Sequence, residues 1–231
     1  MVKDFSRFEE SVGVVFKDKT LLQQAFTHRS YLNENKAVGL ADNERLEFLG
    51  DAVLQLAVTS HLFKLYPDRP EGELTSVRSA LVNTQTLSKL ATDAGMNDFL
   101  LLSRGEQKDT GRARTIILAD AFEALIGAMY LDQGYAAAEQ FIAAKIFPLA
   151  ADVVAEKAWL DAKSRFQEAA QEHVGTTPAY KTIKESGPDH DRIFTVGVYL
   201  GKELIASGEG ASKQEAEQEA ARKALAARGW A

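Results

Sequence analysis

The segment Asn43-Glu44-Arg45-Leu46-Glu47-Phe48-Leu49-Gly50-Asp51 carries three carboxylates at a spacing that a helix gathers onto one face. At about 100° per residue, Glu47 and Asp51 lie about 60° and about 20° from Glu44 around the axis. Acids stacked this closely repel one another by roughly 0.2–0.5 kcal/mol per pair even on a solvated helix. A second pair, Asp120 and Glu123, recurs at i, i+3 within Leu118-Ala119-Asp120-Ala121-Phe122-Glu123-Ala124-Leu125-Ile126-Gly127, a run otherwise too apolar for the surface. Acids on largely buried helices need protons or cations to offset their desolvation. Facing one another, the two helices would build an all-oxygen cage suited to Mg²⁺ or Mn²⁺. Two ions bridged by such carboxylates clamp the attacking water and the leaving oxygen of a phosphodiester, and no histidine or serine nucleophile is needed. A solvated charged face is the ordinary explanation of an acidic run. Here Leu46, Phe48 and Leu49 between the acids leave it little water.

Those acids must be held by helices, and residues 1 to about 157 are patterned as helix almost throughout. Leu54, Leu56, Ala57, Val58, Leu62, Phe63 and Leu65 continue the helix begun at Glu44, and Leu74, Val77, Leu81, Leu87 and Leu90 mark helical stretches broken near Asn83-Thr84. Ile116 to Leu131 and Ala136 to Ile146 are two further helical segments, separated by Asp132-Gln133-Gly134. Turn chemistry predicts loops at Pro67–Gly72 and over the polar, partly basic stretch Ser103–Arg114.

After a helix around Asp161–His173 the period changes to two. Phe194, Val196, Val198 and Leu200 alternate with Thr195, Gly197 and Tyr199, the mark of a half-buried strand, with turn signals at Gly187-Pro188-Asp189-His190 and Gly201-Lys202. Ser212 and Glu215 then form a capping box for an alanine-rich helix reaching about Arg228. The expected architecture is an all-α domain, residues 1–157, followed by a small α+β domain of order α-β-β-β-α, residues 158–231, with the boundary near Lys157–Leu160.

The apolar content of 45% and charge of 26% are those of an ordinary globular protein, which leaves room for two such cores. The absence of cysteine excludes disulfides and thiolate metal sites, and suits a cytoplasmic location. The first residues, Met-Val-Lys-Asp-Phe-Ser-Arg-Phe, show no signal-peptide pattern, and no apolar run approaches the length of about 18 residues needed to span a membrane. The net charge of −6 by itself argues mildly against a nucleic-acid partner. Cations in an acidic cleft, or a locally positive second domain, would overcome that objection. The four histidines, His28, His61, His173 and His190, show no metal-ligand spacing. Gly208-x-Gly210-x-Ser212-Lys213 lacks the order of a P-loop, yet a capped helix start with a lysine in its first turn suits a phosphate; helix capping alone explains it equally well.

Together these motifs resemble the ribonuclease III family of double-stranded-RNA endonucleases. Asn43–Asp51 is similar to the family signature and Ala25-Phe26-Thr27-His28-Arg29-Ser30-Tyr31 to its upstream motif. Glu71-Gly72-Glu73-Leu74-Thr75 and Ile117–Ala128 resemble its later motifs. The tail resembles a double-stranded-RNA-binding domain through Phe166-Gln167-Glu168 with Gln171, Pro178-Ala179-Tyr180, Gly187-Pro188-Asp189-His190 and Gly208–Ala221.

The resemblance implies that Glu47, Asp51, Asp120 and Glu123 hold catalytic Mg²⁺ (Mn²⁺ substituting) and the attacking water. It implies that Glu44 and Glu71 support the cleft near the scissile phosphate, so the catalytic set is Asp51, Glu123, Glu44 and Glu71. Phe48 would be the interface aromatic of a homodimer. In the tail, Gln167 and Gln171 would meet double-stranded RNA through the first helix, Pro188 and His190 a neighbouring minor groove, and Ser212 and Lys213 the phosphates across the major groove. Each subunit would cut one strand, leaving a 5′-phosphate, a 3′-hydroxyl and short 3′ overhangs, in ribosomal-RNA maturation and messenger processing or decay. A pure binding protein would have no use for the full set of acids, and a phosphohydrolase of small molecules none for the tail. From Leu160 onward 10 Lys/Arg face 11 Asp/Glu, so tail binding is expected to be weak and to fade early with salt.

Overall fold

The two acidic segments lie on two helices of 22 residues each that cross in the middle of an all-helical unit. A computed structural model describes residues 4–35, 39–155, 161–188 and 192–230. The chain divides into two compact units, Met1–Trp159 and Leu160–Ala231, each with its own core. The first contains α1 (Ser6–Val12), α2 (Lys19–Ala25), α3 (Arg29–Glu34), α4 (Glu44–Leu65), α5 (Glu71–Leu81), α6 (Thr84–Asp93), α7 (Arg112–Gln133), α8 (Tyr135–Lys145) and α9 (Leu149–Ala155), with short 3₁₀ turns at Met96–Phe99 and Glu106–Lys108.

Helix α7 is the spine. Its residues from Ile117 to Met129 are buried except for Asp120 and Glu123, and α2, α4, α6 and α8 pack around it. Phe8, Phe16, Phe26, Leu54, Leu62, Phe122 and Leu125 are fully buried there, each contributing about 1.5–3 kcal/mol. Local signals set the helix starts. Asp18 accepts the Thr20 N–H at 2.8 Å and Asn83 accepts the Thr86 N–H at 2.9 Å, so the break expected near Asn83-Thr84 is a capped helix start.

Both expected loops are shorter than their composition suggests. Pro70, at φ −66°, flanks α5, and Glu71 and Gly72 already belong to its first turn. Arg112–Arg114 likewise form the first turn of α7, and a 3₁₀ turn occupies Glu106–Lys108. Polar and glycine residues are tolerated in a first helical turn, where the backbone N–H groups lack intrahelical partners in any case.

The second unit runs α10 (Ala162–Val174), β1 (Ala179–Ser186), β2 (Ile193–Leu200), β3 (Glu203–Gly210), α11 (Lys213–Arg228). The strands form an antiparallel sheet in the order β1-β2-β3, with a bulge between Thr182 and Lys184. Val196 and Val198 of β2 are buried, as the alternation requires, and Val198 joins Phe166, Ala220, Ala221, Ala224 and Leu225 in the core. A Cβ at Gly208 would lie 2.2 Å from the Ala220 backbone nitrogen, so a residue without one lets α11 settle onto β3. The Ser212 hydroxyl accepts the Glu215 N–H at 3.1 Å, while the Glu215 carboxylate accepts the Ala211 N–H at 3.0 Å, one residue before the cap. The architecture is the all-α domain plus α-β-β-β-α domain read from the sequence. The boundary residues Lys157–Leu160 lie outside the described residues.

Candidate active site

Helices α4 and α7 meet at two glycines. A Cβ on Gly50 would fall 1.8 Å from the Glu123 carbonyl oxygen, and one on Gly127 would fall 2.2 Å from the Leu46 carbonyl oxygen. The backbones therefore touch, and the acids that flank the glycines on each helix are pressed together. Glu47, Asp120 and Glu123 each offer a carboxylate oxygen within 4.8 Å of the others. All three are half-buried.

The electrostatics follow from that crowding. Glu123 is pushed up to about 8, first by burial and then by the charges of Asp51, Glu47 and Asp120. Burial raises Glu47 as well, helped by Asp120, Glu44 and Asp51, and burial alone raises Asp120. Every influence on the three carboxyls disfavours their ionised form, which a divalent cation would reverse. Hard oxygen donors and no nitrogen or sulfur make the set fit Mg²⁺ or Mn²⁺.

Asp51 lies one turn beyond Glu47 on α4 and is exposed; the Gln55 amide donates to it at 3.3 Å. Its charge acts on both Glu123 and Glu47. Glu44, one turn before Glu47, is also exposed and lies 3.4 Å from the Arg29 guanidinium. The expectation that the whole acidic face of α4 is shut off from water thus holds for Glu47 and not for Glu44 or Asp51, because α7 covers only one side of the crossing. A cleft of about 660 Å³ opens beside the cluster, lined by Glu44, Glu47 and Asp120 together with His28, Arg29 and Asn33. Glu71 lies elsewhere in the unit. It starts α5, accepts from the Thr75 hydroxyl at 2.9 Å and lines a separate hollow with Leu62, Phe63 and Leu74.

The match to known proteins is extensive. Residues 18–149 fit the model of a ribonuclease-III-like domain and residues 162–227 that of the double-stranded RNA binding motif. Ribonuclease 3 of Enterococcus faecalis is 47% identical over 95% of this chain and 95% of its own length. Ribonuclease 3 of Oceanobacillus iheyensis is 45% identical over 96% and 97%. The chain belongs to the ribonuclease III family. A solved nuclease domain of ribonuclease III from Campylobacter jejuni, described for flexibility in a region involved in dimer formation, superposes with a TM-score of 0.57 at 40% identity. It covers 63% of this chain and 99% of that one. The protein is an endoribonuclease specific for double-stranded RNA, and its acidic cluster could hold the metal on which the family depends. Among the described residues no helix is long and apolar enough to cross a membrane.

The remaining sequence candidates are placed as follows. Phe48 is 83% exposed, so it is not a core residue of its own chain. Gln167 and Gln171 are exposed on α10, Pro188 is exposed after β1, and Ser212 and Lys213 are exposed at the start of α11. His190 lies outside the described residues. What sequence reasoning did not single out are Gly50 and Gly127, which set the distance between the acids. Their signal was available, since a glycine inside a helix costs about 1 kcal/mol relative to alanine and asks for a packing reason.

Proposed function

We propose that the enzyme hydrolyses the phosphodiester backbone of duplex RNA at a Mg²⁺ site formed by Glu47, Asp51, Asp120 and Glu123, Mn²⁺ substituting. The observation that carries this reading is the meeting of three half-buried carboxylates within 4.8 Å with nothing but acids and burial acting on them. Bound there, divalent cations would activate water and stabilise the charge that develops on the phosphoryl oxygens. The chain's own part is to present the oxygens at a spacing fixed by the Gly50–Gly127 crossing. Asp51 and Glu123 flank the reacting phosphate, with Glu44 as an outer acid; Glu71, which lines a separate hollow, does not join them within one subunit. Hydrolysis in this sense breaks the bond from phosphorus to the 3′ oxygen, leaving a 3′-hydroxyl and a 5′-phosphate.

Cutting both strands calls for two such sites, and we assign the pair to a homodimer. Phe48, Leu56 and Phe63 are 83%, 59% and 71% exposed and fall within about 80° of one another around α4, an apolar face that water alone would not favour. A hollow of about 660 Å³ bordered by Leu21, Leu49 and Leu131 lies at the foot of Phe48. Paired sites offset across the duplex would leave short 3′ overhangs. Residues 158–231 act as the RNA-holding domain through Gln167, Gln171, Pro188, His190, Ser212 and Lys213, and residues 1–157 as the nuclease. Structured ribosomal-RNA precursors and messenger stems in the cytoplasm are the natural substrates of such a pair.

The test is cleavage of a long end-labelled duplex with and without Mg²⁺, with the new ends read by ligation and by 5′-kinase labelling. Cutting that requires the metal and yields ligatable 5′-phosphates is the expected result; a wild-type protein that binds the duplex and leaves it intact would sink the reading. A chain ending near Lys157 should still cut at low salt and lose activity steeply at physiological salt, because it has shed phosphate contacts.

A further inference from the structure

The cleft beside the carboxylates has a second wall that the metal site does not use. Among the described residues lining it, Arg29 alone carries a permanent positive charge, while Glu44, Glu47, Glu106 and Asp120 all bring negative charge. The Arg29 side chain is 71% exposed and, among the described residues, makes one long ion-pair contact, 3.4 Å, to the carboxylate of Glu44, whose side chain is 54% exposed. A solvated pair at that distance holds its partners weakly, so the cation is free to exchange one anion for another.

The backbone beneath it is fixed from two sides. The His28 N–H donates to the Leu101 carbonyl at 3.1 Å, and the neighbouring Thr27 forms a bridge to Leu101. The Ser30 hydroxyl lies 2.8 Å from His28 Nδ1 and accepts the Ser103 N–H at 3.1 Å. On the other side the Asn43 N–H donates to the Thr27 carbonyl at 2.9 Å and the buried Asn43 amide to the Ala25 carbonyl at 3.2 Å, which ties this segment to the start of α4. A long cationic side chain thus stands on a rigid base facing the carboxylates.

We infer that Arg29 is a substrate-binding residue, taking a backbone phosphate next to the scissile one on the strand being cut. Arg29 lines the same cleft as Glu47 and Asp120, and the Glu44 it touches stands three residues before Glu47, a rise of about 4.5 Å along α4. A strand whose scissile phosphate meets the carboxylates therefore brings a neighbouring phosphate within the cleft that Arg29 lines. An RNA strand entering a cleft of acids needs a cation that a metal ion cannot displace, and a guanidinium matches two phosphate oxygens at once. Ser30 and Asn33 add neutral polar groups to the same wall. The role rests on the endoribonuclease reading above, since it takes the cleft to hold the strand being cut.

The test uses the full chain with Arg29→Ala and Arg29→Lys, a defined RNA duplex, and three readouts: steady-state kinetics across a salt series, single-turnover rates at saturating RNA, and the Mg²⁺ midpoint of cleavage. Arg29→Ala should raise KM by about tenfold, leave the saturated single-turnover rate within about threefold, and make the salt slope shallower by about one. Its Mg²⁺ midpoint should stay in place or fall, since a cation has left the cage. Arg29→Lys should restore the slope and only part of KM, because the charge returns without the two-pronged geometry. Unchanged KM and slope in Arg29→Ala would overturn the assignment. So would a loss confined to the single-turnover rate with a raised Mg²⁺ midpoint, which would make Arg29 a mere holder of Glu44. Wild-type protein that leaves the duplex uncut would overturn the functional reading itself, and this one with it.

Discussion

In the nuclease unit Glu47, Asp120 and Glu123 face one another, with burial foremost and neighbouring acids disfavouring their ionised forms. In the C-terminal unit Lys163 lies against Glu217, Arg192 and Lys213 against Glu185, Arg222 and Lys223 against Glu219, and Arg228 against Glu203. One unit concentrates like charge where water is scarce; the other disperses opposite charge where water is plentiful. The first is electrostatically incomplete and gains most from an outside cation. The second is largely self-neutralised, so RNA phosphates must displace internal carboxylates to reach Lys163, Lys213 or Arg222. The contrast also answers the net charge of −6, which seemed to argue against RNA. The excess negative charge includes carboxylates that metal ions would screen, and the holding domain is close to neutral.

The largest effect should come from altering the incomplete side. Glu123→Gln keeps the shape and removes one charge from the cage, so cleavage should fall by ~10²-fold or more, while duplex binding persists. Full activity of that variant under saturating Mg²⁺ would disprove the site. A pH effect accompanies it. With the Glu123 carboxyl near 8 in the folded metal-free protein and near 4.5 when unfolded, the folded state keeps a proton that the unfolded chain has lost between those values. Stability without metal should therefore fall as pH rises from 4.5 towards 8. Added Mg²⁺ should raise the melting temperature most at the alkaline end, where no proton has to leave. Thermal scans across pH with EDTA and with Mg²⁺ check both signs, and Glu123→Gln should flatten the metal-free trend.

Next in size is the crossing that creates the crowding. Gly50→Ala puts a methyl group 1.8 Å from the Glu123 carbonyl oxygen, and a backbone atom cannot rotate away as a side chain would. The helices must separate, at a cost of about 1–3 kcal/mol or more, and the acids separate with them. Lower stability together with a weaker Mg²⁺ midpoint is the expected pair of results. A variant that melts like wild type would show that the helices do not touch at this point.

These two predictions mark what the sequence could and could not tell. The acids were legible because Glu44, Glu47 and Asp51 repeat at helical spacing, and Asp120 and Glu123 stand out against an apolar run. The tail was legible because Val196 and Val198 alternate with Thr195 and Gly197, and Ser212 with Glu215 spells a helix start. Both are properties of a single element. The closeness of α4 to α7 is a property of two elements, and a glycine's reason for standing at position 50 becomes visible only when position 123 is beside it. For the same reason Arg29, in a motif noticed for its resemblance alone, could be assigned its proposed role only when the fold placed it in one cleft with Glu47.

A smaller effect concerns assembly. Phe48→Ala removes the most exposed of the α4 aromatics without opening a cavity in its own chain, so folding stability at low concentration should change little. If Phe48 anchors a second subunit, truncation should weaken dimerisation by about 2 kcal/mol or more, visible as a shift of the dimer population in sedimentation over a concentration series. Wild-type protein that sediments as a monomer at micromolar concentration would remove the anchor from consideration.

The smallest effect should appear on the self-neutralised side, at Glu185. Its carboxylate lies 3.2 Å from the Lys213 ammonium and 3.7 Å from the Arg192 guanidinium, and its strand partner Phe194 has the same ammonium 5.6 Å from its ring centroid. If Lys213 is to meet a phosphate, Glu185 must yield it, and a carboxylate left beside the new phosphate repels it. Glu185→Gln removes that competitor while keeping the side chain's length. The pair is solvated, so the gain is bounded by what an exposed ion pair is worth, ~0.2–1 kcal/mol, or up to ~5-fold in affinity. Duplex binding in a catalytically silent Glu123→Gln background should tighten by that amount, while Lys213→Ala in the same background should weaken it. Weaker binding by Glu185→Gln would mean that the carboxylate positions the lysine, with Lys213 pre-aimed at the RNA through a contact that only resembles neutralisation.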